Sequence, residues 1–421
     1  MNNIRICVIG LGYVGLPLAR LFSTKYETIG FDKDKTRVDE LNSGIDVTNE
    51  VPVEKLKEAL CNGLVCTDNI EEIRSCNFYI VAVPTPVDHN NNPDLSPLIA
   101  ASEIVGSVIS RGDVVVYEST VYPGVTEEEC LPVVERVSNL KLNEGFFAGY
   151  SPERINPGDK LHTVENIIKV TSGSNPYIAD VIDNVYNSVL LNGTHKAPSI
   201  KVAEASKIIE NTQRDVNIAF MNELAKIFNA MGIDTYDVIE AAASKWNFIN
   251  MKPGLVGGHC IGVDPYYLIQ KAQVYGVMPR IISNARNLND GMGEYVANQI
   301  IKLMNKKGVV VKDANILILG FAFKENCPDI RNTKVVDICY TFAEYTDNIT
   351  VFDPLVDAEL VDCEYGIKIT PSIDTNTFDV VVLAVAHDVF SNLNVPSLLA
   401  PNGIIYDVKG VLPRNIIDGR L

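Results

Sequence analysis

The chain has 421 residues, of which 47 % are hydrophobic, and its formal net charge is −17. This length accommodates two or three domains, and the lack of any basic run argues against nucleic-acid binding, which requires clustered cations. No apolar run is long enough to span a membrane, and the first residues lack the order of a signal peptide. We therefore expect a cytoplasmic protein with no membrane or nucleic-acid partner.

The nine cysteines are odd in number and contain no C-x-x-C spacing. This pattern argues against a disulfide framework and against a zinc site. Cys7 falls in a strand pattern and Cys339 in a helix pattern, so both are expected to be small buried hydrophobic residues. We expect no metal cofactor.

The first predicted elements form a dinucleotide-binding unit. The segment "IRICVIGLGYVGLPLARLF" reads as a buried strand, a glycine loop and a helix, with Gly10, Gly12 and Gly15 in G-x-G-x-x-G spacing. The next strand ends at Asp32, 20 residues after Gly12, where a ribose-binding carboxylate is expected. This carboxylate would repel a 2′-phosphate, so the expected cofactor is NAD, with Arg37 on its adenine side.

Three more buried strands are predicted within 77–86, 113–124 and 145–159, and each ends in polar residues. In a parallel sheet, ligands bind beyond the carboxyl ends of the strands. Thr85, Thr120 and Glu153 are therefore expected on one rim of the sheet, at the nicotinamide end of the site.

A single long helix is predicted from Ser199 to about Gly232. Lys207 and Asn211 are four residues apart and share a face, which Glu204, Arg214 and Asp215 extend. Apolar residues such as Ile209, Phe220, Leu224 and Ile227 occupy the opposite face. Two interpretations stay open, because a polar helix face is either solvated or part of a site.

The second half of the chain repeats the α/β pattern of the first, beginning near residue 305. It keeps Gly320 but lacks the G-x-G-x-x-G spacing, so no second dinucleotide is expected there. Lys324 and Arg331 either bind a mononucleotide or are surface cations. The fold class predicted is α/β, with two doubly wound Rossmann-like domains (1–198 and 305–421) joined by a helical region (199–304) that contains the long helix.

The glycine content of the segment "PGLVGGHCIGVDPYYL" (253–268), which carries Cys260, predicts that it forms no stable helix. Three roles are open for this cysteine: a metal ligand, a nucleophile, or a packing residue without a chemical role. His259 is adjacent to it, whereas zinc ligands are spaced further apart, and the other histidines form no cluster. We favour a nucleophile.

A thiol beside bound NAD allows an aldehyde to be captured, oxidised a second time to a thioester and hydrolysed to an acid. This chemistry requires an oxyanion site and an activated water. Lys207 and Asn211 suit the oxyanion, and Asp264 and Thr120 suit the water.

Seven features follow one another along the chain: the glycine fingerprint, "VAVPTP", "EST", "SPER", K-x-x-x-N, "GGHCIGVDP" and "GFAFKENCPDIRNT". In these motifs the whole chain resembles the UDP-glucose/GDP-mannose dehydrogenase family. The resemblance implies a four-electron oxidation of a sugar C6 alcohol by an NAD domain, a central helix that carries a homodimer interface, and a nucleotide-sugar domain. It also implies that the acidic sugar enters a surface polysaccharide, such as a capsule or O-antigen.

The resemblance assigns roles to individual residues. The catalytic set comprises Cys260 as nucleophile, Lys207, Asn211, Asp264, Thr120 and Glu153. The cofactor set comprises Gly10, Gly12, Tyr13, Val14, Gly15, Asp32, Arg37, Thr85, Thr120 and Arg331. The substrate set comprises Glu153, Arg154, Ile155, Lys207, Asn211, Arg214, Gly257, Phe323 and Lys324.

The substrate branch is indicated by Arg154 and Val263, where enzymes for UDP-glucose typically have Phe and Lys. The chain looks most similar to the branch that oxidises UDP-N-acetylhexosamines, either UDP-GlcNAc or UDP-GalNAc. UDP-glucose and UDP-ManNAc remain alternatives. A 3-hydroxyacid dehydrogenase, which does not need Cys260 or Asp264, and a non-catalytic nucleotide-sugar binder are more distant ones.

Overall fold

The structure is a computed structural model that describes residues 4–48, 50–87, 93–155, 163–258, 260–373 and 377–421. The chain divides into two compact units. The first contains the residues up to Glu210 together with Tyr266–Gly276, and the second contains Asn211–Pro265 and Val277–Leu421.

The first unit is built on a parallel six-stranded sheet in the order β3-β2-β1-β4-β5-β6, which is the Rossmann order. Its elements are β1 (Arg5–Ile9), α1 (Gly15–Ser23), β2 (Glu27–Phe31), α2 (Lys35–Asn42), α3 (Val53–Cys61), β3 (Val65–Thr67), α4 (Ile70–Ile73), β4 (Phe78–Val81), α5 (Ser96–Val108), β5 (Val114–Tyr117), α6 (Leu131–Ser138) and β6 (Phe147–Tyr150).

The first unit also contains a short pair of parallel strands. It consists of β7 (Lys169–Thr171) and β8 (Thr194–Lys196), which flank α7 (Pro176–Asn187) in sequence. The central strands of the large sheet are buried on both faces, as their continuous apolar runs predict. Alternate residues of β1 therefore belong to different cores, Val8 to one and Cys7 to the other.

The second unit combines helices with a parallel five-stranded sheet in the order β10-β9-β11-β12-β13. Two helices, α8 and α10, have residues in both units. The elements are α8 (Ile200–Met231), α9 (Thr235–Ala243), α10 (Cys260–Val274), α11 (Arg280–Asp290), α12 (Met292–Lys307), β9 (Ile316–Leu319), α13 (Val335–Ala343), β10 (Ile349–Phe352), α14 (Ala358–Tyr365), β11 (Phe378–Leu383), β12 (Leu399–Asp407) and β13 (Gly419–Arg420).

The predicted fold class is confirmed, and the long central helix runs from Ile200 to Met231. The buried positions predicted for Cys7 and Cys339 are also confirmed. Within the described residues, no helix is long and apolar enough to cross a membrane.

The expectation that 253–268 contains no helix is wrong, because α10 begins at Cys260 and includes Pro265. Proline has no N–H, so the carbonyl of Ile261, four residues earlier, receives no intrahelical hydrogen bond from it. The guanidinium of Arg286 donates to this carbonyl instead, at 3.3 Å. A partner 25 residues away in sequence thus supports a helix that local propensity disfavours.

Candidate active site

The loop between β1 and α1 needs glycine at two positions for steric reasons. Gly10 has a φ of +92°, and a Cβ there would lie 2.8 Å from the carbonyl oxygen of Ala82. A Cβ on Gly15 would lie 1.7 Å from the carbonyl oxygen of Gly10. At Gly12 a Cβ would meet no atom within 4 Å, so its backbone borders open space that a pyrophosphate can approach. This cradle fits NAD.

Asp32 follows β2 and is held next to the same loop. Its Oδ2 accepts a hydrogen bond from the N–H of Leu11 at 2.8 Å. The buried Arg37 donates from Nε to the carbonyl of Leu11 at 3.0 Å and from Nη2 to Asp46 at 2.7 Å. Arg37 therefore braces the loop, a role that its sequence position did not indicate. Two further predicted cofactor residues, Tyr13 and Val14, lie just before α1, and Tyr13 is exposed.

Thr85 and Thr120, the residues predicted on the rim at the strand ends, follow the neighbouring strands β4 and β5. The Oγ1 of Thr85 donates to the carbonyl oxygen of Thr120 at 2.8 Å. Tyr267 of α10 donates its hydroxyl to the carbonyl of Thr85 and, at 3.1 Å, to that of Pro86. Sequence reasoning missed Tyr267, whose only signal was its place in the "VDPYYL" motif.

Glu153 follows β6, the next strand of the sheet. Its Oε1 accepts from the N–H groups of Arg154 and Ile155, at 2.6 and 2.7 Å. Its Oε2 lies 3.2 Å from the ammonium of Lys169, a fully buried residue that the sequence analysis did not identify. The carboxylate of Glu153 is therefore held on both oxygens.

The polar face of α8 is buried, which decides against its interpretation as a solvated face. Glu204, Lys207, Asn211 and Asp215 are all at most 8 % exposed. By contrast, the chain alone leaves much of the predicted apolar face exposed, at Ile209, Phe220 and Ile227. Arg214, predicted to share the polar face, is exposed.

The buried residues of this face have different partners. Glu204 accepts from the N–H groups of Gly124 and Thr126, at 2.6 and 2.9 Å, and thus holds the loop after β5. Lys207 is 7 % exposed and has no hydrogen-bond or ion-pair partner in the described part of the chain. A buried ammonium without a structural partner is typical of a functional group.

Asn211 and Asp264 lie 53 residues apart in sequence but in direct contact. Both are buried, and Asn211 Nδ2 donates to Asp264 Oδ2 at 2.5 Å. Asp264 lies in the first turns of α10, one helical turn after Cys260. The side chain of Cys260, like His259 as a whole, lies outside the described residues.

Phe323 occupies the space beside the two glycines that precede His259. A Cβ on Gly257 would lie 2.7 Å from the carbonyl oxygen of Asn332 and 3.1 Å from the Cβ of Phe323. Gly258 has a φ of +79°, and a Cβ there would lie 2.7 Å from the Phe323 ring. These glycines thus permit close packing with the 323–332 loop.

The loop that carries Phe323 and Lys324 is fixed at both ends by a buried pair. Asp353 accepts from the N–H groups of Phe321 and Ala322 and from His387, while His387 Nδ1 accepts from the N–H of Asn326. Burial raises the pKa of Asp353, but these hydrogen bonds outweigh it and lower the pKa below its ordinary value.

Two further predicted cations, Arg331 and Arg154, have partners. Arg331 is exposed and forms an ion pair with Asp329. Arg154 forms an ion pair with Glu210 at 2.7 Å and donates to the carbonyl of Ile168.

The glycine cradle, Asp32 and the rim of Thr85 and Thr120 define a dinucleotide-dependent dehydrogenase of the doubly wound α/β class. Models of the UDP-glucose/GDP-mannose dehydrogenase family match the chain in three parts: the NAD binding domain over residues 4–190, the central domain over 201–291 and the UDP binding domain over 317–414. The chain belongs to this family and is an NAD-dependent UDP-sugar 6-dehydrogenase. This decides against the hydroxyacid dehydrogenase and the non-catalytic binder.

Three known proteins illustrate the relationship. The chain is 54 % identical to a UDP-N-acetyl-D-glucosamine 6-dehydrogenase of Pseudomonas aeruginosa, over 100 % of both chains. It is 53 % identical to one of Salmonella typhi, over 100 % of this chain and 99 % of the other. The solved structure of a UDP-D-ManNAc dehydrogenase from Pyrococcus horikoshii is 30 % identical, with a TM-score of 0.90, covering 99 % of this chain and 98 % of that one.

Proposed function

We propose that the protein oxidises the C6 hydroxyl of UDP-N-acetyl-D-glucosamine to a carboxylate, using two NAD⁺ for each sugar. The observation that carries the choice of sugar is the full-length identity of 54 % to an enzyme with that name. Arg154 and Val263 favour the same branch. UDP-GalNAc, UDP-ManNAc and UDP-glucose are the competing substrates.

Gly10, Gly12, Gly15 and Asp32 would hold NAD⁺, which would supply the acceptor for one hydride, that is two electrons, from the C6 carbon at each oxidation. In the first oxidation, the hydroxyl proton passes to a water ordered by Thr120 and Asp264, and an aldehyde results. Cys260 in its thiolate form then adds to the aldehyde carbon, and Lys207 and Asn211 stabilise the oxygen that gains charge. That oxygen takes up a proton from water, and the product is a thiohemiacetal.

The second oxidation removes the remaining C6 hydride and the hydroxyl proton, which leaves a thioester on Cys260. Water ordered by Asp264 and Thr120 adds to the thioester carbon, and the carbon–sulfur bond breaks. The thiolate is regenerated and the sugar leaves as a carboxylate. Glu153, held near the rim, assists this hydrolysis. The sum is one sugar alcohol, two NAD⁺ and one water giving one sugar acid, two NADH and three protons.

Nucleotide-sugar contacts are assigned to Ile155, Arg154, Arg214, Gly257, Phe323 and Lys324, and a cofactor contact to Arg331. We also propose the division into an NAD domain (1–198), a central domain (199–304) and a UDP-sugar domain (305–421).

The exposed apolar side chains of α8 support a homodimer, which sedimentation velocity would test; a monomer at micromolar concentration would contradict it. We propose that the enzyme acts in the cytoplasm and that its acid product is used to make a surface polysaccharide. Deletion of the gene, followed by analysis of the polysaccharide, would test this role.

A substitution at Cys260 tests the mechanism most specifically. Cys260→Ser should still bind NAD and UDP-GlcNAc but fail to form the acid, because its hydroxyl is a poor nucleophile at neutral pH. NADH release and product mass should be followed together. Formation of the acid at the wild-type rate would contradict the role of Cys260.

A further inference from the structure

A buried cluster of ionisable side chains, which the mechanism above does not use, lies behind Glu153. Lys169 of β7 places its ammonium 2.5 Å from Glu118 Oε2 and 3.2 Å from Glu153 Oε2. It also donates to the carbonyl of Pro152 at 3.1 Å. Tyr186 of α7 donates its hydroxyl to Glu118 Oε1 at 2.6 Å. Glu118, Lys169 and Tyr186 are each at most 1 % exposed.

The charges of this cluster do not balance when every group is ionised. Two carboxylates share one ammonium, so a net negative charge would be buried, which is costly. Burial is the main cause that raises the pKa of Glu118 to about 7, and repulsion from Glu153 adds to it, while Lys169 and Tyr186 oppose the rise. Burial lowers the pKa of Lys169, but the two carboxylates outweigh it, so the lysine stays charged.

A proton on Glu118 changes the surroundings of Glu153. With Glu118 neutral, the ammonium of Lys169 is left to the carboxylate of Glu153 alone, and the cluster as a whole is neutral. With Glu118 ionised, the same ammonium is divided between two carboxylates that repel each other. The Oε1 of Glu153 is held by two backbone N–H groups, neither of which belongs to Glu118.

We propose that Lys169 and Glu118 are positioning residues for Glu153: the ammonium of Lys169 holds its carboxylate in place, and Glu118 balances the charge of the buried cluster. The proposal rests on the proposed catalytic role of Glu153. Neither residue touches the substrate in this account; both act through Glu153.

Opposite substitutions should shift the pH profile of kcat in opposite directions. Glu118→Gln imitates the protonated state of Glu118, so the acidic limb, where kcat falls as the pH is lowered, should move to lower pH. Glu153→Gln should flatten this limb. Lys169→Met removes the counter-charge, so the limb should move to higher pH by about one unit, a roughly tenfold loss of rate on that limb. Tyr186→Phe should move the limb as Glu118→Gln does, but less. KM for the UDP-sugar should stay nearly constant in all three.

A matched control is Lys196→Ala, which breaks the exposed ion pair between Lys196 of β8 and Asp180 of α7. It should leave the profile unchanged. Shifts of Glu118→Gln and Lys169→Met in the same direction, or no shift in either, would overturn the proposal. A wild-type protein that releases no NADH with any UDP-sugar would instead overturn the proposed function.

Thermal unfolding tests the cluster independently of catalysis. Lys169→Met should lower the Tm strongly at pH 8, because two buried carboxylates lose their cation. Adding Glu118→Gln should restore part of that loss. If the loss in Tm of the double variant equals the sum of the losses of the two single variants, the two residues do not share one charge balance. That result would overturn the proposal.

Discussion

At the scale of single residues, the three glycines of the first loop have separable roles. Gly12→Ala should keep the Tm within about 2 °C, because the new methyl group meets no atom, yet weaken NAD binding at least tenfold by obstructing the pyrophosphate. Gly15→Ala should destabilise the fold by about 3 kcal/mol or more, because its Cβ overlaps a backbone carbonyl. Calorimetric titration with NAD and thermal unfolding separate the two effects. A Gly15→Ala variant as stable as the wild type would contradict the steric role of Gly15. A Gly12→Ala variant that binds NAD as the wild type does would contradict the role of Gly12 in the approach of the pyrophosphate.

Lys207 is the residue whose burial argues most for a chemical role. Lys207→Ala should lower kcat by roughly 10²-fold or more, because the developing oxyanion loses its cation. The control is Lys201→Ala, which removes an exposed lysine of the same helix that pairs with Glu128 and should change kcat little. Steady-state NADH release measures both variants. A kcat for Lys207→Ala within twofold of the wild type would assign the ammonium a structural role.

Much of the site could be predicted at this scale, because its residues occur in short motifs with a local physical reason. The glycine spacing and Asp32 are examples. Lys169 and Arg37 could not be assigned their roles, because their partners are distant in sequence: Glu118 is 51 residues from Lys169. A lysine inside the apolar strand pattern of "NIIKVTS" was the available signal for a buried ion pair.

At the scale of elements, α10 depends on a helix that follows it. Arg286 of α11 is buried, donates to the carbonyl left free by Pro265, and forms an ion pair with the buried Asp215 at 2.5 Å. Arg286→Met should cost about 3–5 kcal/mol in the free energy of unfolding, because Asp215 then keeps a buried charge without its cation. The exposed pair of Lys196 and Asp180 is again the control, and its loss should change the free energy of unfolding little.

The cost of Arg286→Met should also depend on pH. Burial raises the pKa of Asp215 to about 6, against the opposing effect of Arg286, so the folded state retains a proton that the unfolded state has already lost. Stability from this group therefore falls as pH rises from about 4 to above 6, and more so without the arginine. Denaturant unfolding should show a larger loss at pH 8 than at pH 5. An equal loss at both pH values would exclude this explanation.

The elements themselves were mostly predictable, since the strands and α8 have clear apolar patterns. The pattern of α8 left both interpretations of its polar face open, because hydrophobicity alone does not identify which face a protein buries. Glu204 and Asp215 are buried because each has specific partners, and those partners come from other parts of the chain. The start of α10 was missed for the same reason.

At the scale of the whole molecule, the doubly wound pattern in both halves and the family were evident from the order of the motifs. The choice among UDP-sugars was not. It depends on contacts with one hydroxyl or acetamido group, and the sequence has no short motif for these. A panel of UDP-hexoses and UDP-N-acetylhexosamines would rank the candidates.

The central claim is that one active site performs two successive oxidations of one sugar. The most direct measurement is the amount of NADH formed per UDP-GlcNAc consumed, with the product identified by mass. We predict two NADH per sugar and a uronic acid as the only released product. One NADH per sugar, with a free aldehyde or ketone as product, would contradict the account.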